Sequence, residues 1–180
     1  LTEAYQKALN GTLAPTNDLT VQYIDYSAWQ REQLASEALQ KQLTFWQQQL
    51  ANVPILELPL DKARPRHGNN QGASFHISFP APLMQAVQQL ALAEKTSTFT
   101  VLFSAFAGLL YRYSGQTVFC IGTPVARRPL KALENVLGCF INLLAIRADL
   151  SAQMPVAELL KQLGQALLNA QENALVPFEK

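Results

Sequence analysis

The feature that most limits what this chain can fold into is the order of its hydrophobic periods from Pro82 onward. Leu83, Val87, Leu90 and Ala91 recur at helical steps and predict an amphipathic helix. Val101, Leu102, Ala105, Phe106, Leu109 and Leu110 cover a wider arc. A second helix, capped by Ser97 or Thr98 and ended by Gly115, is therefore expected to be buried on most sides. The period then shortens. Residues 117–122 form a continuous apolar run closed by Pro124, the composition of a strand covered on both faces. Residues 140–150 read as a second strand, with Asn142 and Arg147 as its polar interruptions. Pro155 opens a last helix to Asn173, with Val156, Leu159, Leu160, Leu163 and Leu167 on one face. Helices laid on a sheet make an α/β layer arrangement, an α+β sandwich.

The first part of the chain carries weaker punctuation. Leu1, Ala4, Tyr5, Ala8 and Leu9 share a helix face, and Asn10-Gly11 ends that helix because Gly takes positive φ freely. A loop with Pro15, Asn17 and Asp18 follows. Leu34, Leu39, Leu43, Trp46 and Leu50 then predict one helix over 26–51, with Asp25 as its N-cap. Trp29 and Trp46 read as packing residues. Residues 52–73, with Pro54, Pro59, Pro65, Gly68 and Gly72, read as an irregular linker. Residues 74–79 alternate apolar and polar, which predicts a half-covered strand with His76 on its polar face. The opening helix lacks a capping residue and the chain lacks an initial Met, so both ends are expected to be internal to a longer polypeptide.

Composition excludes several classes of function. Fourteen Lys and Arg against thirteen Asp and Glu leave +1, with no basic stripe interleaved with aromatics, so nucleic acid and anionic membranes are not expected partners. Charged residues break every apolar run before it reaches membrane length, and no export signal opens the chain; a cytoplasmic location is the default. Cys120 and Cys139 sit in apolar runs and read as buried reduced thiols on strands, with no ligand set for a metal. The only histidines are His67, in the linker, and His76, and neither neighbours an acid or hydroxyl in the pattern of a catalytic base.

Three segments at long separations carry more information: Tyr23-Ile24-Asp25-Tyr26-Ser27-Ala28-Trp29, Leu137-Gly138-Cys139-Phe140-Ile141-Asn142 running on to Arg147, and Val176-Pro177-Phe178-Glu179. Each resembles a motif of the condensation domains of non-ribosomal peptide synthetases. The first is similar to Tyr-x-Asp-Phe/Tyr-Ala-x-Trp, with Ser27 and Ala28 as departures. The second is similar to Gly-x-Phe-Val-Asn with a closing Arg, and the third, from Asn173 on, to His/Asn-Gln-Asp-x-Pro-Phe-Glu. Leu58-Pro59 through Arg66, Arg112-Tyr113-Ser114-Gly115-Gln116, and Gly122-Thr123-Pro124-Val125-Ala126 with Arg128 match further family segments in the same order. Leu143 after the Asn and Ala174-Leu175 before the last motif depart from the family pattern.

The resemblance implies two chloramphenicol acetyltransferase-like lobes in a V, with residues 1–79 ending the first lobe and 80–180 forming most of the second. It implies amide formation between a donor acyl or peptidyl thioester and an acceptor aminoacyl thioester, both on the phosphopantetheine arms of carrier-protein domains, beside a neighbouring adenylation domain. It implies no directly bound cofactor. The family's double-histidine motif would lie upstream of Leu1, so no catalytic residue is expected in this chain and the chain alone is expected to be inactive. Asn142, Asn173, Gly122 and Thr123 are the candidates for the substrate cleft. Asn142 either orients substrate or the catalytic loop, or satisfies backbone inside its lobe; Gly122-Thr123-Pro124 at a strand end would permit close backbone approach. Arg147, facing the other way from Asn142, reads as half of an ion pair with Asp149 or Glu134. Asp25 and Trp29 read as stabilising the lobe junction, and Pro177 and Phe178 as fixing the exit of the last helix. Tyr23, Arg128, Gly138, Phe140 and Glu179 complete the motif residues. Two other readings stay open: a non-catalytic lobe that docks a carrier protein, and an epimerisation domain or coenzyme A-dependent transferase of the same superfamily.

Overall fold

The computed structural model describes residues 2–12, 19–63, 72–126, 128 and 130–180. Its elements in order are α1 (Thr2–Leu9), α2 (Tyr23–Gln33), α3 (Glu37–Gln49), α4 (Ala81–Ala93), α5 (Thr98–Ser114), β1 (Val118–Ala126), a 3-10 turn (Lys131–Leu133), β2 (Ile141–Asp149) and α6 (Val156–Glu172). The loop residues Pro15, Asn17 and Asp18, and Arg64, Arg66, His67 and Arg127, lie outside the described residues.

Helix ends follow side-chain chemistry. Ser97 caps α5 by accepting the Thr100 N–H at 3.0 Å, and Gly115 closes it at φ +70°. Gly11 ends the first helical stretch at φ +65°. The single helix expected over 26–51 is two helices. Ser36 accepts the Leu39 N–H at 3.3 Å and starts α3, because a serine hydroxyl satisfies a first-turn donor better than it sits inside a helix. Asp25 does not cap α2 from outside. It stands in the first turn, and its carboxylate accepts the Gln22 N–H at 2.8 Å, so the helix begins three residues earlier than the apolar spacing suggested.

β1 and β2 form an antiparallel pair in the register Val118 opposite Asp149 through Ala126 opposite Ile141. β1 therefore continues through Pro124 rather than stopping there. Among the described residues β1 is paired on one side only, and such a strand tolerates a proline, whose missing donor costs no ladder bond at a free edge. Phe119 and Ile121 are buried while their neighbours are not, so β1 is covered on one face and not on two.

Against that face pack Phe103 and Ala107 of α5 and Leu163, Leu167 and Ala170 of α6, with Leu144, Ile146 and Ala148 of β2 completing the main core. Burying each large side chain of this kind contributes about 1.5–3 kcal/mol. Ala91, Val101 and Leu160 form a smaller cluster that ties α4 to α5 and α6. The expectation that α5 is buried on most sides fails: Leu102, Phe106 and Leu109 are exposed, because the described residues cover only one side of it. Val156 shares the face of Leu160, Leu163 and Leu167 but, as the first residue of α6, is exposed.

Residues 74–79 form no strand or ladder among the described residues, and Phe75 is 88% exposed. Alternation shows which face of a strand would be covered, not that a partner strand stands beside it. His76 is exposed there, as expected. The linker at 53–60 is irregular yet anchored. The Gln116 side chain donates to the Ile55 carbonyl at 2.9 Å and accepts the Glu57 N–H at 2.7 Å, copying the bonds a neighbouring strand would make. Among the described residues no helix is long and apolar enough to cross a membrane.

Candidate functional site

The three motifs that are far apart in sequence meet at one place. α2 presents Tyr23 and Tyr26, the loop before β2 presents Cys139 and Phe140, and the turn after α6 presents Pro177 and Glu179. Together with Gln30, Ile141 and Asn142 they enclose a polar pocket of about 200 Å³. Beneath it lies a second core of Tyr26, Leu133, Val136 and Phe140, with Val21 and Trp29 packed on its margin.

Aromatic geometry holds α2 to the loop. Tyr23 meets Phe140 edge to face at 5.3 Å, and Tyr26 stacks obliquely on Phe140 at 4.8 Å. The Tyr23 hydroxyl donates to the Cys139 carbonyl at 3.0 Å. Gly138 is required by this contact: a Cβ there would stand inside the Tyr23 ring, 2.6 Å from Cε2 and 2.7 Å from Cγ. Arg128 supports the loop from below. Its guanidinium donates to the Leu133 and Val136 carbonyls and lies over the Phe140 ring, 4.1 Å from the centroid.

Asn142 is bonded on every side to backbone. Nδ2 donates to the carbonyls of Ala174 at 3.1 Å and Val176 at 2.8 Å, and Oδ1 accepts the Phe178 N–H at 3.1 Å. The side chain thus shapes the turn at 174–178, which in turn brings Pro177 and Glu179 to the pocket. Asn173 is the C-cap residue of α6. Its Nδ2 donates to the Asn169 carbonyl at 2.8 Å, and its own carbonyl accepts the Trp46 indole N–H at 2.8 Å. Trp46 is consequently more than a packing residue.

Arg147 faces away from Asn142 and grips Asp149, with Nε 2.9 Å from Oδ2. Of its two expected partners, Asp149 is the one it has. The same guanidinium donates to the carbonyls of Gln49 at 3.3 Å and Ala51 at 3.2 Å, satisfying the unpaired acceptors at the end of α3. The Asp149 bonds push its pKa up, so it stays charged throughout the accessible pH range. Opposite it in the ladder, burial raises the Cys120 thiol above its ordinary value, with the Arg147 charge acting in the other direction.

An apolar groove of about 310 Å³ adjoins the polar pocket and shares Pro177 with it. Leu43 and Trp46 of α3 and Leu50 at its end face Leu143 and Ala145 of β2 across it. Gly122 and Thr123 line neither space. They sit within the ladder opposite Ala145 and Leu144, and Gly122 is in the middle of a strand rather than at its end. Cys139, expected on a strand and buried, is exposed in the loop; Cys120 is half-buried on β1. Sequence reasoning did not single out Gln30 or Tyr26. Tyr26 lies inside a motif, whereas nothing local distinguishes Gln30 from the other glutamines of its helix. Among the described residues no group of three or more His, Cys, Asp or Glu is placed to hold a metal ion.

The motif residues thus gather at one place in the fold. The family model for the condensation domain matches residues 1–180, and the chain belongs to that family. It is 38% identical over 181 residues to malpibaldin synthetase of Mortierella alpina, covering 100% of this chain and 3% of that protein. It is 34% identical over 181 residues to phosphinothricin tripeptide synthetase PhsC of Streptomyces viridochromogenes, covering 100% of this chain and 17% of that protein. The X-domain from teicoplanin biosynthesis, in a complex with OxyB, superposes with a TM-score of 0.90 at 29% identity over 98% of this chain and 40% of that one. The four-domain synthetase holo-AB3403 shares the fold at TM-score 0.83 and 22% identity, with 98% of this chain and 14% of that one covered. The chain thus spans a small fraction of the curated relatives it matches.

Proposed function

We propose that the chain forms the wall of the second lobe, and its junction with the first, in a condensation domain that joins carrier-bound thioesters into an amide. Residues 1–79 then end the first lobe and 80–180 make most of the second. The observation that carries the reading is the meeting of Tyr23, Gly138, Asn142 and Glu179 from three distant motifs, in a chain that matches the family along its whole length.

The chemistry asks little beyond placement. The acceptor amine attacks the donor thioester carbonyl, the C–S bond breaks, the thiol leaves on the donor's phosphopantetheine arm, and the amine gives up a proton. An activated thioester needs mainly to be held against its amine, and such positioning supplies about 7–11 kcal/mol of the barrier. A rigid wall suits that task. Asn142, Arg128 and Arg147 rigidify it by bonding backbone carbonyls of separate segments. The proton-accepting histidine is supplied by polypeptide outside these residues. His76 stands on an exposed stretch without secondary structure and does not line the pocket, which supports that assignment. Carrier-protein domains bring the substrates, and an adenylation domain loads them.

The test uses the parent polypeptide with loaded donor and acceptor carriers, read by mass spectrometry. Dipeptidyl product from the parent and none from these 180 residues is the expected result. Product from the short chain alone overturns the assignment of the histidine, and no product from the loaded parent overturns the reaction. A second reading, a lobe that docks a partner protein without catalysis, is supported by the TM-score of 0.90 to an X-domain solved in complex with OxyB. A parent that captures a partner yet forms no amide would favour it.

A further inference from the structure

The polar pocket has a chemical character that a positioning scaffold does not require. We propose that it is a binding site for a primary ammonium group, present whether or not the parent forms amides.

Three aromatic rings, those of Tyr23, Tyr26 and Phe140, form its walls, and Phe140 already carries one cation, the Arg128 guanidinium, against its face. Aromatic faces attract cations through the ring quadrupole. Three polar groups then converge with spare capacity. The Glu179 carboxylate and the Gln30 side-chain amide line the pocket and have no hydrogen-bond or ion-pair partner among the described residues. The Tyr23 hydroxyl gives its proton to the Cys139 carbonyl, which leaves its oxygen lone pairs as acceptors. The Asn142 amide hydrogens are both taken by backbone.

Among the described lining residues there is spare acceptor capacity on the Glu179 carboxylate, the Tyr23 oxygen and the Gln30 Oε1, the Gln30 amide also keeps its two donors, and there is one negative charge and no Lys or Arg. A group with three N–H donors and a positive charge matches that set. An anion meets a like charge, and a divalent cation finds one carboxylate where it needs several oxygen ligands. At about 200 Å³ the space takes an ammonium on a short aliphatic stem. The α-amine of an aminoacyl group and the side chain of a lysine on a neighbouring domain both present this chemistry.

The experiment titrates the parent polypeptide, isotope-labelled at the tyrosine rings, with n-butylammonium, n-butanol and butyrate. Saturable shifts of the Tyr23 and Tyr26 rings are expected with n-butylammonium only. Glu179→Gln should weaken that binding about fivefold, the scale of one exposed ion pair, while Glu158→Gln on α6 leaves it unchanged. Equal shifts with butanol, or undiminished affinity in Glu179→Gln, overturn the proposal. Competition identifies the source. Displacement by an aminoacyl-pantetheine amide but not by its N-acetyl form assigns a substrate amine; displacement by neither, with n-butylammonium still bound, sets the substrate amine aside and leaves a lysine of a neighbouring polypeptide as the source, whereas displacement by both overturns an ammonium site. Either of the first two results upholds the site. Because binding is read without turnover, a parent that binds but makes no amide fails the condensation reading alone, and one that makes amide without binding fails this proposal alone.

Discussion

Replacing Asn142 with Ala removes three hydrogen bonds at once, two donated to the Ala174 and Val176 carbonyls and one accepted from the Phe178 N–H. Each such bond contributes about 0.5–1.5 kcal/mol net. Asn142 is half-buried, so water partly replaces the lost partners, and the expected cost is about 2 kcal/mol. For a chain of 180 residues that lowers the melting temperature by about 4–8 °C. Asn142→Asp should cost more than Asn142→Ala. It keeps the acceptor for Phe178 but turns a carboxylate oxygen toward two carbonyl oxygens. Amide hydrogen exchange at Phe178 gives the local readout, with protection lost in Asn142→Ala before α6 itself opens. In the parent, both variants should slow amide formation while leaving the fold intact, because the turn at 174–178 that stiffens the lobe wall loses its anchor. An unchanged melting temperature together with undiminished protection at Phe178 would refute the reasoning. It would leave Asn142 as a residue whose effect on rate must come from substrate.

Gly138→Ala should destabilise by about 1–3 kcal/mol, the usual cost of forcing a methyl group into a packed contact, and the cost should largely disappear in a Tyr23→Ala background; a double-mutant cycle by denaturant unfolding measures it. Arg147→Met should release the end of α3 by leaving the Gln49 and Ala51 carbonyls without a donor, seen as faster exchange across the last turn of α3 with α6 unaffected. Thiol titration with a disulfide reagent at about pH 8, near the ordinary cysteine pKa, should label exposed Cys139 first. Burial raises the Cys120 pKa and holds that thiol protonated as pH rises through the ordinary cysteine range, so its reaction should lag until the pH is higher or the chain unfolds. Equal rates at both cysteines would contradict the burial of Cys120.

Much of the fold was legible because it follows from nearest neighbours along the chain. The cap at Ser97, the left-handed Gly115, the apolar face of α6 and the strand at 141–149 are dictated by local chemistry and spacing. The break at Ser36 was legible in principle, yet a continuous apolar stripe across 34–50 masked it. The strand expected at 74–79 shows the limit of pattern reading, since alternation describes a face and a ladder requires a second chain segment alongside.

The candidate site divides the same way. The sequence by itself determined which residues are unusual: a glycine before Phe140, an amide and a guanidinium inside an apolar strand, a Tyr-Asp-Tyr start to a helix, a Pro-Phe-Glu end. Only the tertiary structure decided what each one answers to. Gly138 is set by the ring of Tyr23, far earlier in the chain, Asn142 by backbone more than thirty positions later, and Arg147 by the carbonyl end of α3. Gln30 and Glu179 become neighbours only when α2 and the last turn close on one pocket. The physical reason is that steric exclusion and hydrogen bonding act across a few ångströms of space, and separation along the chain carries no information about which segments folding will bring within that range.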